Sequence, residues 1–517
     1  MKLNYKRTIL VGFAFFLISA FWQAYDATIP VILTNKFGMS QAWSGVIMAL
    51  DNILAVFMLP LFGALSDKCT SRHGKRTPFI VVGTILAAFA FFSLSFIDNM
   101  QLSNISEVSA INDPVSLQVI YDTQKDARLQ TPDGVPFVLS ETYTEDEFSA
   151  ITTDDVITVD GKEISPYTNY VVPARQAYVA DKTAQNPVAL IIFVSLLFVV
   201  LLSMATFRSP AVALMPDVTL KPLRSKGNAV INLMGTAGGI LVLVLGMVFA
   251  TSSVRNQLMN YNIYYGVIAG IMLGALGIFL ATVREPLWAK QMQEDSLRFE
   301  IEEKTEDTSQ KRKLTASEVR SLIFILASIA LWYFGYNAVT SKYSVYAGNI
   351  LNMDYNTTLL IAQAAAIVAY LPAGMIATKI GRKRTILIGI IMLTTAFGAA
   401  SFMRAGSSVL LMNVLFALAG IGWATINVNS FPMVVEMCSG GDVGKYTGFY
   451  YTASMSAQII TPMLSGFLMD MDGVGMTVLF PYAAVFAGLA FITMALVKHG
   501  DAKPNAKMKL EKVDADV

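Results

Sequence analysis

The chain has 517 residues, 54% hydrophobic and 15% charged, with a formal net charge of +1 and a mean hydropathy of +0.54. Near-neutral charge removes the electrostatic case for a nucleic-acid partner, and the two cysteines, Cys69 and Cys438, offer neither a disulfide framework nor metal-ligand spacing. A soluble domain carries ~25% charged residues with apolar positions in short periodic runs; here the apolar residues come in blocks of about twenty, long enough at ~1.5 Å per residue to cross a ~30 Å hydrocarbon core.

The first apolar run, Thr8 to Leu33, is too long for a cleavable signal peptide and lacks its small-residue cleavage site, so it reads as a span. With it, spans are predicted at 8–34, 41–65 and 79–97, then at 188–214, 227–251 and 262–283. Six more are predicted at 317–346, 356–377, 385–404, 407–430, 446–469 and 477–497. Backbone polar groups in lipid must pair within their own segment, so each span is a helix. The expectation is an all-α polytopic membrane protein with twelve transmembrane helices in two six-helix halves. Residues 1–97 and 188–283 form one half and 317–498 the other, with a linker at 284–316 and a tail at 499–517.

Most of the 38 Lys and Arg lie in the N-terminal segment, the turns near Lys68–Arg76 and Lys221–Lys226, the linker, the Lys379–Arg384 cluster and the tail. The positive-inside bias puts these in the cytoplasm, both termini included, in the plasma (inner cell) membrane. The opposite side carries the insert, 98–187, in which acidic residues far outnumber basic ones. Val115–Tyr121 and Val156–Val159 have strand character, with Pro132-Asp133-Gly134 and Asp160-Gly161-Lys162 as turns. A small extracytoplasmic domain of partly β character is expected there. No cofactor is implied, and the chain is expected to act as a monomer in the bilayer.

The halves echo each other. Gly63-Ala-Leu-Ser-Asp67 followed by Gly74-Lys75-Arg76 matches Gly374-Met-Ile-Ala-Thr378 followed by Gly381-Arg382-Lys383-Arg384. Pro216-Asp217 leading into Lys226-Gly227-Asn228 matches Pro432-Met-Val-Val-Glu436 leading into Gly444-Lys445-Tyr446. Two echoes in the same order indicate a parallel repeat, an architecture that places a transport site near the midplane between the halves.

Charges inside hydrocarbon cost ~2.5–3.5 kcal/mol each and therefore face the bundle interior. Asp26 in the first span and Asp51 in the second are the clearest, each ~12–15 Å from the outer end at ~1.5 Å per residue. Two carboxyls at similar depth could share a proton or hold a cation. Arg208, deep in the fourth span, is a candidate partner for one of them. In the seventh span, Tyr333, Tyr336, Asn337, Thr340 and Lys342 supply aromatic faces and hydrogen-bonding groups of the kind a sugar needs. Gln363, Asn427, Asn429 and Gln458 add uncharged polar groups in the eighth, tenth and eleventh spans. At the basic turns, Asp67, Arg72, Lys75, Arg76, Asp217 and Arg224 are candidates for ion pairs that lock one conformer. Arg382 and Glu436 are their counterparts in the second half.

From Gly63 to Ile80 the chain resembles the sucrose transporters, members of the glycoside–pentoside–hexuronide cation symporter group of the major facilitator superfamily. That family carries a nearly identical Ser-Asp-x-Cys-Thr-Ser-Arg-x-Gly-x-Arg-x-Pro-Phe-Ile run. The resemblance continues at Pro210–Asp217 and Asn228-Ala229, covers most of the membrane part and stops at the insert. It implies the major facilitator fold and uptake of a disaccharide or related glycoside by symport. Plant sucrose carriers have an arginine where this chain has Val212, with Arg208 one turn earlier; sodium-coupled melibiose carriers have an aspartate pair where this chain has Ala55 and Leu59. On that comparison protons are the expected coupling ion. Two rival readings stand beside it: a carrier or exporter of amphipathic molecules such as drugs or lysolipids, and a non-transporting membrane sensor. No nucleophile–base set or metal cluster suggests an enzyme.

Overall fold

The computed structural model describes residues 3–159, 162–220, 223–298, 314–437 and 443–500; the side chains of Arg224 and Glu436 lie outside the described residues. Helix α1 (Tyr5–Asn35) leads to α2 (Gln41–Asp67) and α3 (Thr77–Asn104). The insert follows with α4 (Pro114–Gln124), β1 (Arg128–Gln130), β2 (Pro136–Val138), α5 (Leu139–Thr142), α6 (Glu145–Ser149), β3 (Ile157–Val159), β4 (Lys162–Ile164) and α7 (Val172–Gln185). The first half closes with α8 (Val188–Asp217), α9 (Arg224–Val248) and α10 (Asn262–Thr282), and α11 (Glu285–Arg298) opens the linker. The second half holds α12 (Ala316–Tyr346), α13 (Tyr355–Ile380), α14 (Arg382–Ala400), α15 (Val409–Glu436), α16 (Val443–Met469) and α17 (Leu479–Ala495).

Among the described residues, 11 of these helices are long and apolar enough to cross a membrane. The twelfth of spanning length, α16, is diluted by Tyr, Thr, Ser and Gln, the composition of a helix that faces a polar interior. The expected twelve-helix, two-half architecture is therefore present. The ends follow local rules. Asn4 caps α1 by accepting from the Arg7 amide at 3.1 Å, and Thr315 and Glu318 form a capping box on α12. Gly381 turns the chain between α13 and α14 at φ +92, where a side chain would be strained.

The internal repeat reappears in the packing. Helix α1 packs on α9 and α10 as α12 packs on α16 and α17; α3 packs on α8 and α10 as α14 packs on α15 and α17; α2 lies on α8 as α13 lies on α15. Each half has its own apolar core, one around Phe21, Phe91, Phe207 and Tyr265, the other around Trp332, Tyr343, Phe397 and Phe480. The halves meet along α2–α16, α9–α13 and α1–α12. Where α2 crosses α16, Gly45 faces the Pro462 carbonyl and Gly466 faces the Gln41 carbonyl, with no room for a Cβ at either glycine.

The insert has a third core, built from Leu117, Ile120, Phe148, Tyr167 and Val179 among others. Val115–Tyr121 is helical rather than extended. Asp113 accepts from the Ser116 amide at 3.0 Å as an N-cap, Pro114 sits at the helix start, and the buried Leu117, Ile120, Tyr121 and Gln124 follow a helical period. The β character is two short antiparallel hairpins, Arg128–Gln130 with Pro136–Val138 and Ile157–Val159 with Lys162–Ile164. The insert is fastened to the first half. Gln176 donates to Asn35 at 2.8 Å, Gln101 to Thr183 at 3.1 Å, and Gly38, at φ +65, lies flush against the α7 backbone. Beneath it Lys36 and Asp98 form a fully buried ion pair at 2.7 Å, with the Lys36 ammonium 4.6 Å from the centre of the Tyr261 ring.

Candidate functional site

Between the halves lies a cavity of about 170 Å³. Helix α1 contributes Trp22 and Asp26, α2 contributes Met48, Asp51 and Asn52, and α8 contributes Arg208. From the second half, α12 contributes Asn337, Thr340 and Ser341, and α16 contributes Gln458 and Pro462. Six of the residues singled out in the sequence thus converge: Asp26, Asp51, Arg208, Asn337, Thr340 and Gln458.

The first-half wall carries the charge. Asp51 accepts from the Asn52 amide at 2.7 Å. Arg208 faces the same cavity as both carboxylates, and its guanidinium carbon lies 5.5 Å from the centre of the Trp22 ring. Among the described residues, none of the ion pairs involves Asp26, Asp51 or Arg208, so the expected direct acid–arginine pair is not formed in this conformation. The second-half wall is neutral and cross-linked. Asn337 donates to the Gln458 carbonyl at 3.2 Å, and the Thr340 hydroxyl donates to the Asn337 side chain at 3.3 Å. A substrate held here would meet carboxylates and a guanidinium on one side and amides and hydroxyls on the other.

The remaining predicted substrate residues lie off this cavity. Tyr336 stacks on Trp423 with centroids 3.7 Å apart and Tyr333 meets the same indole edge-on at 5.3 Å, so both rings are engaged by α15. Lys342 is completely buried and donates to the Gln41 carbonyl at 2.6 Å, across the interface between the halves. Gln363 donates to Gln23 at 2.6 Å, another bond between halves. Asn427 bonds to Tyr370, and Asn429 turns back to the Thr425 carbonyl at 2.9 Å.

The basic turn at the start of α3 is an organised cluster. Arg76 donates to Asp217 at 2.8 Å and to Asp67 at 2.5 Å, and also to Ser66. Burial works against its charge, but Asp217 and Asp67 outweigh burial and hold its pKa above the ordinary arginine value. Asp217 therefore pairs with Arg76; the expected Arg224 lies outside the described side chains. Lys75 is exposed, and its backbone amide donates to Glu285 at 2.6 Å. Glu285 also accepts from Thr77 through its amide at 2.8 Å and its hydroxyl at 2.7 Å, capping α3 from the start of α11. Arg72 lies in the same turn, exposed, and Arg382 begins α14 at the corresponding place.

Sequence reasoning passed over Trp22, Glu285 and Asp470. Trp22 precedes Asp26 by one helical turn, a spacing that could have marked it. Glu285 is a lone acid at the end of a span. Asp470 directly follows α16, and its carboxylate accepts from the Gln41 and Ala42 amides at 2.9 and 2.7 Å and caps α2 across the interface. Further bonds between the halves lie at the same insert-bearing end: Ser252 to Asp354 at 2.5 Å, Asn356 to Thr251 at 3.2 Å, and Thr251 with Tyr355 at 2.8 Å. These bonds tie the halves together at that end.

Residues 357–514 match the family model described as Major Facilitator Superfamily, and residues 10–110 match that described as MFS/sugar transport protein. The chain is 42% identical over 65 residues to sucrose transport protein SUC4 of Arabidopsis thaliana, a stretch that is 13% of each chain. It is 40% identical over 70 residues to proton-associated sugar transporter A of Homo sapiens, 14% of this chain and 9% of that one. The chain thus spans only a small part of the length of these relatives. Over nearly its whole length it superposes on the inward open conformation of the xylose transporter XylE from E. coli, with a TM-score of 0.57 at 14% identity, covering 97% of this chain and 98% of that one. A D-xylose-proton symporter gives a TM-score of 0.56 at 14% identity, covering 96% of this chain and 99% of that one. At that identity the likeness is one of fold. With apolar spans, a doubled half and these matches together, the chain has the fold of the major facilitator superfamily and resembles its sugar-transporting members.

Proposed function

We propose that this protein is a secondary transporter, not an enzyme, that takes up a glycoside together with protons by alternating access. The observation that carries the reading is the cavity at the junction of the halves, where Asp26, Asp51 and Arg208 face Asn337, Thr340 and Gln458. A carboxylate inside a bundle binds a proton or a cation far more readily than one in water, because burial disfavours its charged form. Neutral amides and hydroxyls opposite it suit a polyhydroxylated substrate, which exchanges its hydration for matched hydrogen bonds.

On this reading a proton on Asp26 or Asp51 lowers the net negative charge of the first-half wall. Substrate then bridges the walls and the halves rock about the cavity. The insert end faces outward, and its cross-half bonds hold the outward mouth shut in this conformer. The Arg76–Asp67–Asp217 cluster steadies the basic, cytoplasmic end of the first half. An exporter of amphipathic molecules would need a more apolar wall than these residues supply.

The test is uptake by the purified protein in liposomes under an inward proton gradient, with a panel of radiolabelled disaccharides and simpler glycosides and a sodium-gradient control. Accumulation of one glycoside, abolished by a protonophore, is the expected result. Failure to accumulate any glycoside under either gradient would sink the reading.

A further inference from the structure

The insert does more than sit on the first half: its β1–β2 hairpin reaches across to the second. The turn at Pro132–Gly134 docks on the loop between α16 and α17. Gly473 donates its amide to the Gly134 carbonyl at 2.8 Å, and Met476 donates to the Pro132 carbonyl at 2.7 Å. Gln130 donates its side-chain amide to the Met471 carbonyl at 2.9 Å, and Arg128 pairs with Asp472 at 3.2 Å. Gly134 (φ +93) and Gly475 (φ +63) lie backbone to backbone, and a Cβ on either would collide with the main chain of the other. A fit that requires a glycine from each side, both at positive φ, is a shaped junction rather than a chance touch.

The fastenings of the insert differ on its two sides. Toward the first half it is held by covalent continuity with α3 and α8, by Gln176–Asn35 and Gln101–Thr183, and by Arg255–Asp154. Toward the second half it is held only through the hairpin and a single loop, among the described residues. That loop begins where Asp470 caps α2. Opening this end of the molecule carries α16 and α17 away from α2 and must break the hairpin contacts, because the insert stays with the first half.

We propose that the β1–β2 hairpin is a clasp that binds the 471–476 loop when the insert-bearing end is closed and sets how often that end opens. The Arg128–Asp472 pair is exposed on both sides, at 71% and 66% of the side chain, and contributes little alone. The two backbone bonds and the glycine contact supply most of the hold. The clasp rests on the two halves moving against each other, and not on which substrate is carried.

The experiment reads that motion directly in the full-length protein. Spin labels at Ile263→Cys and Phe402→Cys, both exposed at the insert-bearing end of opposite halves, report their separation by pulsed electron resonance in lipid nanodiscs, on a Cys69→Ser, Cys438→Ser background without substrate. Gly134→Val is expected to raise the wide-separation population roughly tenfold, and the surface pair Arg128→Glu with Gln130→Ala roughly two- to fivefold. A cleavable thiol cross-linker between Arg128→Cys and Asp472→Cys, in protein without the spin-label sites, is expected to abolish proteoliposome transport and to restore it on cleavage. Unchanged distance distributions in both sets of clasp variants would overturn the proposal, and so would undiminished transport by the cross-linked protein. The distance measurement needs no sugar, so failure of the glycoside reading leaves it interpretable.

Discussion

At the scale of single residues, the cavity divides labour between its walls. On the proposed reading Asp26 and Asp51 carry the proton, and Arg208 adds a positive charge to the same wall of the cavity. If either carboxyl couples transport, its asparagine variant keeps shape and hydrogen bonding but loses the titration. Asp51→Asn or Asp26→Asn is expected to abolish proton-driven accumulation while leaving substrate exchange at equal concentrations measurable. Uptake with wild-type pH dependence in both variants would show that neither carboxyl couples. Lys342 and Asp470 act elsewhere, on the two sides of Gln41. Asp470→Ala removes the carboxylate from the first amides of α2, a loss comparable to an N-cap, ~0.5–2 kcal/mol. It is expected to favour the state open at the insert end, seen as faster alkylation of a cysteine placed at Asn52.

At the scale of elements, close backbone approach decides which helices can separate and meet again. Gly45 on α2 and Gly466 on α16 each face a carbonyl of the other helix. Gly45→Val therefore blocks closure of the insert end, and transport is expected to fall at least tenfold with the protein still folded, as judged by size-exclusion profile and thermal unfolding. The α13 cap adds a pH-sensitive contact outside the spans. Burial tends to raise the Asp354 pKa, but bonds from Ser252, Thr357 and Asn356 outweigh it and hold the value below the ordinary 3.8. The folded value thus lies below the unfolded one. The stabilisation is fully present above about 3.8 and is lost as pH falls through the folded value. Asp354→Asn is expected to flatten the acid limb of the stability profile below about pH 4, checked by thermal unfolding in detergent. The same element scale explains a misreading. Val115–Tyr121 is rich in β-branched residues, but Asp113 and Pro114 start a helix and the buried positions recur every three to four residues, so burial periodicity outranked propensity.

At the scale of the whole molecule, the doubled half makes a carrier possible, because two similar cores can rock as units about one cavity. One proton moving down a 100 mV potential supplies ~2.3 kcal/mol. At ~1.4 kcal/mol per tenfold this supports an accumulation ratio of roughly fifty before any pH gradient is added. A steady-state ratio in proteoliposomes that tracks the imposed potential with that slope is expected for one proton per substrate. A ratio independent of potential would exclude net charge movement.

The twelve spans, the basic and acidic ends, the repeat and the half-buried Asp26, Asp51 and Arg208 inside the spans were legible in the linear chain. Each follows from a local cost: apolar length, the positive-inside bias, and the expense of charge in hydrocarbon. Choice of partner was not legible, because it depends on which helices the halves bring together. Tyr333 and Tyr336 look like a sugar platform until α15 places Trp423 against them. Lys342 looks like a substrate ligand until α2 offers the Gln41 carbonyl. The Pro132–Gly134 turn was legible as a turn, but its docking on Gly475, like the Asp470 cap, was not, since both arise only where segments hundreds of residues apart in the chain come into contact.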